Sequence, residues 1–430
     1  MNIVLTPLKR AISESVEESF HVLLRVQAPA TGAEQPIPLR IAVVVDRSGS
    51  MQGAPLREAK RCVRYLVEHL SAADHVALVV YDDTVQTPIE MMAADLVQPV
   101  VGDTLSTIDP GGSTDLHAGW LTGADLVAPH TAGDALCRVI LLSDGKANEG
   151  LTDVHQITRQ VRALAQTGVT TTTVGLGRNF NEHLMSSMAE AGQGMAHYGE
   201  RSEDLFETFE SELGLMKNLV WRNVRVTLRG IDGARVINRY AREAEAWCLP
   251  SIAGGAEAWA IIRIPATEVR QLTEAGSGLT VIVSAVDRNG ESHEITETLR
   301  DMSVVPASTY AALPRDELVA RRLLELEAAE IQSQARDAAN RGDWAQVERL
   351  IDDLEKLAVD HPWISASLRH LRWLLEHRDR ELMSKELHYK SMSMNSRLSR
   401  LDESIFDASM EATTPSYLRR KESQGRRTQR

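Results

Sequence analysis

Three cysteines in 430 residues, Cys62, Cys137 and Cys248, are odd in number and too far apart for a disulfide framework or a thiolate metal site. They fall in apolar or amphipathic segments and read as reduced, mostly buried thiols, which points to a cytoplasmic setting. No apolar run approaches the length of a membrane-spanning helix, so no membrane span is expected. The first residues, Met1-Asn-Ile-Val-Leu-Thr-Pro-Leu-Lys-Arg, lack the basic, then apolar, then small order of a secretory signal. Positive charge is also short: 47 Lys and Arg against 60 Asp and Glu give −13, which argues against a general binder of nucleic acid or anionic membrane.

The catalytic motifs are missing as well. There is no Gly-x-x-x-x-Gly-Lys-Ser/Thr loop to cradle phosphates, which disfavours a Mg²⁺-dependent phosphoryl transferase. His117, His130, His155 and His183 show no His-Glu-x-x-His spacing, so a zinc hydrolase lacks its ligands. Ser48 or Ser50 with His117 and Asp144 would make a hydrolase triad on paper, but neither serine stands in a Gly-x-Ser-x-Gly elbow. The chain is expected not to be an enzyme.

What is present is a set of oxygen donors at strand ends. The apolar run Ile41–Val45 ends in Asp46-Arg-Ser48-Gly-Ser50-Met, which sets one carboxylate and two hydroxyls on one tight loop. Farther along come Thr114, in Gly111-Gly112-Ser113-Thr114-Asp115, and Asp144, in Leu142-Ser143-Asp144-Gly145. Five hard oxygen ligands with no thiolate or imidazole suit a small divalent cation such as Mg²⁺.

These residues resemble the metal-ion-dependent adhesion site of von Willebrand factor A domains, which is built from Asp-x-Ser-x-Ser, a downstream Thr and a later Asp. Asp46, Ser48, Ser50, Thr114 and Asp144 stand in that order. The glycines before Thr114, the Leu-Leu-Ser-Asp-Gly around Asp144 and Thr173-Val-Gly-Leu-Gly177 match too, and the resemblance spans residues 38–215. It implies a Rossmann-like α/β domain with a mostly parallel sheet. It also implies that Ser48, Ser50 and Thr114 ligate the ion directly, with Asp46 and Asp144 binding either directly or through water. Carboxylates held behind water leave the ion electrophilic towards an Asp or Glu of a protein partner. Asp115 and Lys146 lie beside the ligand positions and read as a helix-start acid and a surface lysine or as part of the rim. The expected ion is Mg²⁺, with Mn²⁺ and Ca²⁺ as alternatives. Bacterial intracellular members of this kind act as adaptors, often beside AAA+ ATPases of the MoxR type or in multi-component conflict systems. The competing reading is a scaffold with a merely stabilising metal.

Length alone predicts two or three domains. Strands at Ile41–Val45, Val76–Tyr81, Arg138–Leu142 and Val169–Leu176 alternate with helices over Pro55–Leu70, Val154–Ala165 and Leu184–Ala191, the pattern of a helix-covered parallel sheet. Asn2–Leu8 and Phe20–Gln27 precede this unit, and Val220–Leu228, Ala258–Ile264, Leu279–Val286 and Ser292–Leu299 follow the helical stretch Glu203–Asn218. Two strands alone make no stable sheet, so the early pair is expected to join the later strands in a β-sandwich over residues 1–37 and 219–305, into which the 38–215 domain is inserted. A helical hairpin over 312–398 turns at Arg341-Gly342-Asp343, with Asp343 as N-cap. Residues 399–430, with Arg419, Arg420, Lys421, Arg426, Arg427 and Arg430, read as a flexible basic tail whose binding to RNA would at most be weak.

Overall fold

The computed structural model describes residues 1–15, 17–29, 37–132, 135–144, 147–176, 181–199, 213–214, 216–231, 233–300, 302–358, 362–380, 383–388, 391 and 399–400. The basic tail, Lys146, Gly177 and most of the 203–218 stretch lie outside these residues. The described residues divide into two compact units, those within Glu34–Leu219 and those within Met1–Ala33 and Val220–Thr414.

Two long strands, β1 (Asn2–Pro7) and β2 (Phe20–Gln27), come before the α/β unit, with the short strand Ala11–Ser13 between them. That unit runs β3 (Leu39–Asp46), α1 (Ala54–Glu68), β4 (His75–Tyr81), β5 (Val85–Ala93), α2 (Val101–Ser106), α3 (Leu116–Val127) and β6 (Leu136–Ser143). It continues through α4 (Val154–Gln166), β7 (Val169–Leu176), α5 (Glu182–Ala191) and β8 (Gln193–Gly199). The sheet order is β5-β4-β3-β6-β7-β8, parallel throughout except for the antiparallel edge strand β5. Central strand β3 buries every residue but Arg40, as a near-continuous Ile-Ala-Val-Val-Val run covered on both faces should. Strand β7 is buried despite four consecutive threonines, because Thr170 and Thr173 donate their hydroxyls to the carbonyls of Cys137 and Met185, and Thr171 accepts from the Trp120 indole. From β3 the chain continues to β4 on one side, and β6 lies on the other. Their carboxyl ends therefore flank the switch point where open α/β sheets bind ligands.

Strand β5 is not apparent from sequence: Pro88 interrupts it and its register slips twice against β4, which only an edge strand tolerates. Strand β8, with its glycines and histidine, gives no β signal either.

The second unit resumes with β9 (Leu219–Arg229), β10 (Ala246–Cys248), β11 (Ala256–Ile264), α6 (Ala266–Glu274), β12 (Leu279–Val286) and β13 (Ser292–Leu299). Early and late strands do pair: β2 runs antiparallel to β11 from Phe20↔Ile264 to Gln27↔Glu257, and β1 adds to its far edge. A second sheet holds β10, β9, β12 and β13 in that order. Val22, Leu24 and Val26 of the first sheet share one core with Val226, Val281 and Val283 of the second, so the two form a sandwich. The opposite face of the first sheet, Leu23, Trp259 and Ile261, is covered by Val319 and Leu326 of α7 (Glu317–Arg341). The period-two alternation of β2 thus feeds two different cores. Helix α7 ends at Gly342, whose φ of 75° suits only a residue without Cβ, and α8 (Trp344–Leu357) starts on Asp343, whose carboxylate accepts the Gln346 N–H. Helix α9 (Pro362–His377) follows, and residues 383–388 are helical as well.

Candidate functional site

Strand register sets the site. Asp46, the last residue of β3, lies level with Tyr81 of β4, and Val45 is paired with Leu142, which puts Ser143 beside the aspartate. Asp46 is fully buried; its Oδ1 accepts the Ser48 N–H at 2.8 Å and its Oδ2 accepts the Ser143 hydroxyl at 2.7 Å. The turn these bonds fix brings Ser48 Oγ within 3.1 Å of Ser50 Oγ, and Ser50 donates to Asp144 Oδ1 at 2.9 Å. Four of the five sequence-picked donors are therefore linked by hydrogen bonds across two strand ends. Thr114, 3% exposed, is placed from the other side: its N–H donates to Asn148 Oδ1 at 2.8 Å, and its carbonyl accepts from Asn148 and Glu149. Its hydroxyl has no hydrogen-bond partner among the described residues.

The loops are clasped to each other by backbone. Gly49 N–H donates to Gly112 O at 3.1 Å, and Gly111 N–H to Arg47 O at 2.6 Å. Asp82, just past the end of β4, was not picked out from the sequence and ties this together. Its side chain pairs with Arg47 at 3.0 Å and accepts from the Thr84 backbone and hydroxyl, and its carbonyl accepts the Asp115 N–H. A Cβ on Gly111 would lie 1.8 Å from Asp82 Oδ2, so this loop fits only with glycine there. Burial alone would raise the Asp82 carboxyl, but the Thr84 and Gly112 hydrogen bonds and the Arg47 guanidinium outweigh it and hold it below the ordinary value. The available signal was positional: Asp82 follows a strand next to β3, as Asp144 does.

The two site carboxylates are in the opposite condition. Burial raises the Asp46 carboxyl above its ordinary value, against the hydrogen bonds from Ser48 and Ser143. Burial also pushes Asp144 up to about 6; the Ser50 hydrogen bond opposes this and the charge of Asp46 adds to it. Neither carboxylate has a cationic side-chain partner among the described residues. Beside them the Tyr81 hydroxyl is fully buried without a hydrogen bond of normal geometry, and burial and then the charge of Asp46 keep it protonated. Two desolvated carboxylates that pair with no cationic side chain among the described residues, together with three hydroxyls, form a donor set that fits a hard divalent cation.

Other expectations fare differently. His117 does not reach a serine; its Nε2 pairs with Gln160 Oε1 at 2.9 Å and its ring lies against Trp120. Asp115 is the N-cap of α3, accepting the Ala118 N–H, which is the helix-start role read from its position. Cys62 and Cys137 are buried and Cys248 is partly buried, none of them in a disulfide among the described residues; burial pushes Cys62 up to about 12, so it is inert. No described helix is long and apolar enough to cross a membrane.

The sequence model of the von Willebrand factor type A domain matches residues 41–211. An uncharacterized Synechocystis protein, sll0103, is 24% identical over 205 residues, 48% of each chain. Pig inter-alpha-trypsin inhibitor heavy chain H2 is 23% identical over 197 residues, 44% of this chain and 21% of its own. The aligned stretch thus spans about half or less of these relatives' length. The crystal structure of the ArnB paralog VWA2 from Sulfolobus acidocaldarius superposes with a TM-score of 0.64 and 18% identity, covering 92% of this chain and 98% of its own. That likeness extends the shared fold beyond the α/β unit. Family match, sheet order and strand-end geometry agree on one conclusion: residues 41–211 of this chain are a von Willebrand factor type A domain.

Proposed function

We propose that Asp46, Ser48, Ser50, Thr114 and Asp144 form a metal-ion-dependent adhesion site, with Mg²⁺ as the natural occupant, and that the protein is a non-enzymatic adaptor. The observation that carries this reading is the hydrogen-bonded run Asp46–Ser48–Ser50–Asp144 at the switch point, in which both carboxylates are buried and neither has a cationic side-chain partner among the described residues. A bound divalent cation supplies Lewis acidity towards one incoming carboxylate of a partner protein. The chain's own residues do the rest. Ser143 and the Ser48 N–H hold Asp46 in orientation, Asp82 and Arg47 fix the height of the glycine loop, and Asn148 fixes Thr114. The matching relatives include the inter-alpha-trypsin inhibitor heavy chains, which supports an interaction role over catalysis. A partner of the MoxR-type AAA+ class, in the cytoplasm of a bacterium, is the setting this reading favours.

The test is calorimetric titration of Mg²⁺ and Mn²⁺ into chelator-stripped protein and into Asp46→Ala, alongside capture of partner proteins with Mg²⁺ or with EDTA. Saturable binding lost in Asp46→Ala, with capture that disappears in EDTA, is the expected outcome. Metal binding that raises stability but leaves capture unchanged would reduce the site to a structural one.

A further inference from the structure

Helix α1 leaves the adhesion loop and carries Arg57, Lys60, Arg61 and Arg64 at helical spacing, an unusual concentration of positive charge on a chain of net charge −13. Helix α2 packs along it in the opposite direction. The Gln98 side chain just before α2 donates to the carbonyls of Val67 and Leu70, Gly102 faces the Arg64 guanidinium, and Lys60 Nζ donates to the Ile108 carbonyl beyond α2. Between the two helices lies an open cleft of about 180 Å³ lined by Lys60, Arg61, Arg64, Gly102, Leu105 and Ser106. Arg61 is engaged by Glu58 on its own helix. Lys60 and Arg64 have no carboxylate partner among the described residues, and Arg64 makes no hydrogen bond there at all. A Cβ at Gly102 would stand 3.4 Å from Arg64 Nη2, so glycine keeps this wall of the cleft low. In the segment that leads into α2, Leu96 and Val100 are 62% and 46% exposed, two of the four large apolar side chains the described residues leave open to solvent.

We infer that the α1–α2 cleft is a second docking surface of the domain, independent of metal, for an acidic segment of a protein partner. A partner carboxylate enters between Lys60 and Arg64 while an apolar side chain covers Leu96 and Val100. Charge complementarity selects this occupant. Two cations without a carboxylate partner among the described residues favour anionic oxygen, and the exposed apolar pair leading into α2 favours a peptide side chain, which inorganic phosphate lacks. The surface differs from the adhesion site in chemistry: it would engage its ligand in a chelator, and the adhesion site would not.

The experiment is fluorescence anisotropy in EDTA with a short labelled peptide rich in Glu and Asp and carrying two leucines. Its matched control has every acid replaced by the amide. The expected result is saturable binding of the acidic peptide alone, weakening as NaCl rises. Lys60→Glu with Arg64→Glu should lower affinity tenfold or more, and Leu96→Ser with Val100→Ser should lower it severalfold. Asp46→Ala should bind like the unaltered protein. Arg64 is exposed, and a circular dichroism spectrum identical to that of the parent verifies the fold of the charge variant. No saturable binding by the unaltered protein, equal binding of the amide peptide, or full affinity in the folded double charge variant would each overturn the inference. None of these outcomes bears on the metal titration, so the two readings fail separately.

Discussion

Asp46 and Asp82 sit at the ends of adjacent strands and are solved by opposite means. Asp82 is buried, ionised and fully compensated by Arg47, Thr84 and backbone; Asp46 is buried and compensated only by hydroxyl and amide dipoles. On the proposed reading a cation would complete the second and not the first. Asp82→Asn should therefore leave metal binding in place but weakened by about 10–100-fold, the usual cost of losing a group that orients ligands without touching the ion. Calorimetry alongside Asp46→Ala checks it, and an unchanged affinity would remove Asp82 from the site. Asp144 sets the pH dependence. With its carboxyl raised to about 6, a proton competes for the metal-free site in the weakly acidic range, so Mg²⁺ affinity should fall as pH drops from 7 to 5, with proton release on binding near pH 6. The sign for folding is reversed. A carboxyl raised in the folded state contributes stability below its ordinary value of 3.8 and loses that contribution as pH rises through about 6, so the metal-free protein bears the cost at neutral pH. Asp46 and Asp144 were legible in the sequence because each comes where an apolar run stops, and Ser48, Ser50 and Thr114 through the motif they resemble. Asp82, Asn148 and Tyr81 were not, because their roles depend on pairing between distant loops that no local pattern encodes.

Helix α3 shows what an element needs in order to bring such loops together. Gly119 and Gly123 are the residues through which it rests on the sheet: a Cβ at 119 would lie 2.5 Å from the Tyr81 ring, and one at 123 would lie 2.5 Å from Val44 Cγ2. Gly119→Ala should cost about 1–3 kcal/mol by overpacking, read as a lowered denaturation midpoint. It should also weaken metal binding, because Tyr81 cannot yield without moving the end of β4. An unaltered midpoint would mean that the helix slides freely on the sheet. The central strands, α1, α4 and α5 were readable from periodicity, since hydrophobic spacing and burial coincide in them. The edge strands were not: β5 holds a proline and two register slips, and β8 has few β-branched residues. The capping of α8 by Asp343 was readable because an N-cap acts within three residues of itself.

For the whole molecule, two compact units predict two events on heating. Calorimetric scans should show two transitions. Saturating Mg²⁺ should raise only the one belonging to Glu34–Leu219, by about 2.7 kcal/mol of stabilisation at a hundredfold excess over Kd. A single transition moving as one would show that the units unfold together. The pairing of the first strands with late ones was foreseeable from the instability of an isolated two-stranded ribbon, whereas α6 and the cover of α7 over Trp259 carried no signal in the strands themselves. The register of β2 against β11 also fixes an order in time. Arg25 is made early, yet its partner Trp259 leaves the ribosome only after the entire α/β unit has been translated, a delay on the order of ten to fifty seconds at ordinary elongation rates. Through that interval β2 presents an unpaired, strongly apolar edge, so the nascent chain should depend on chaperones even though the finished protein does not.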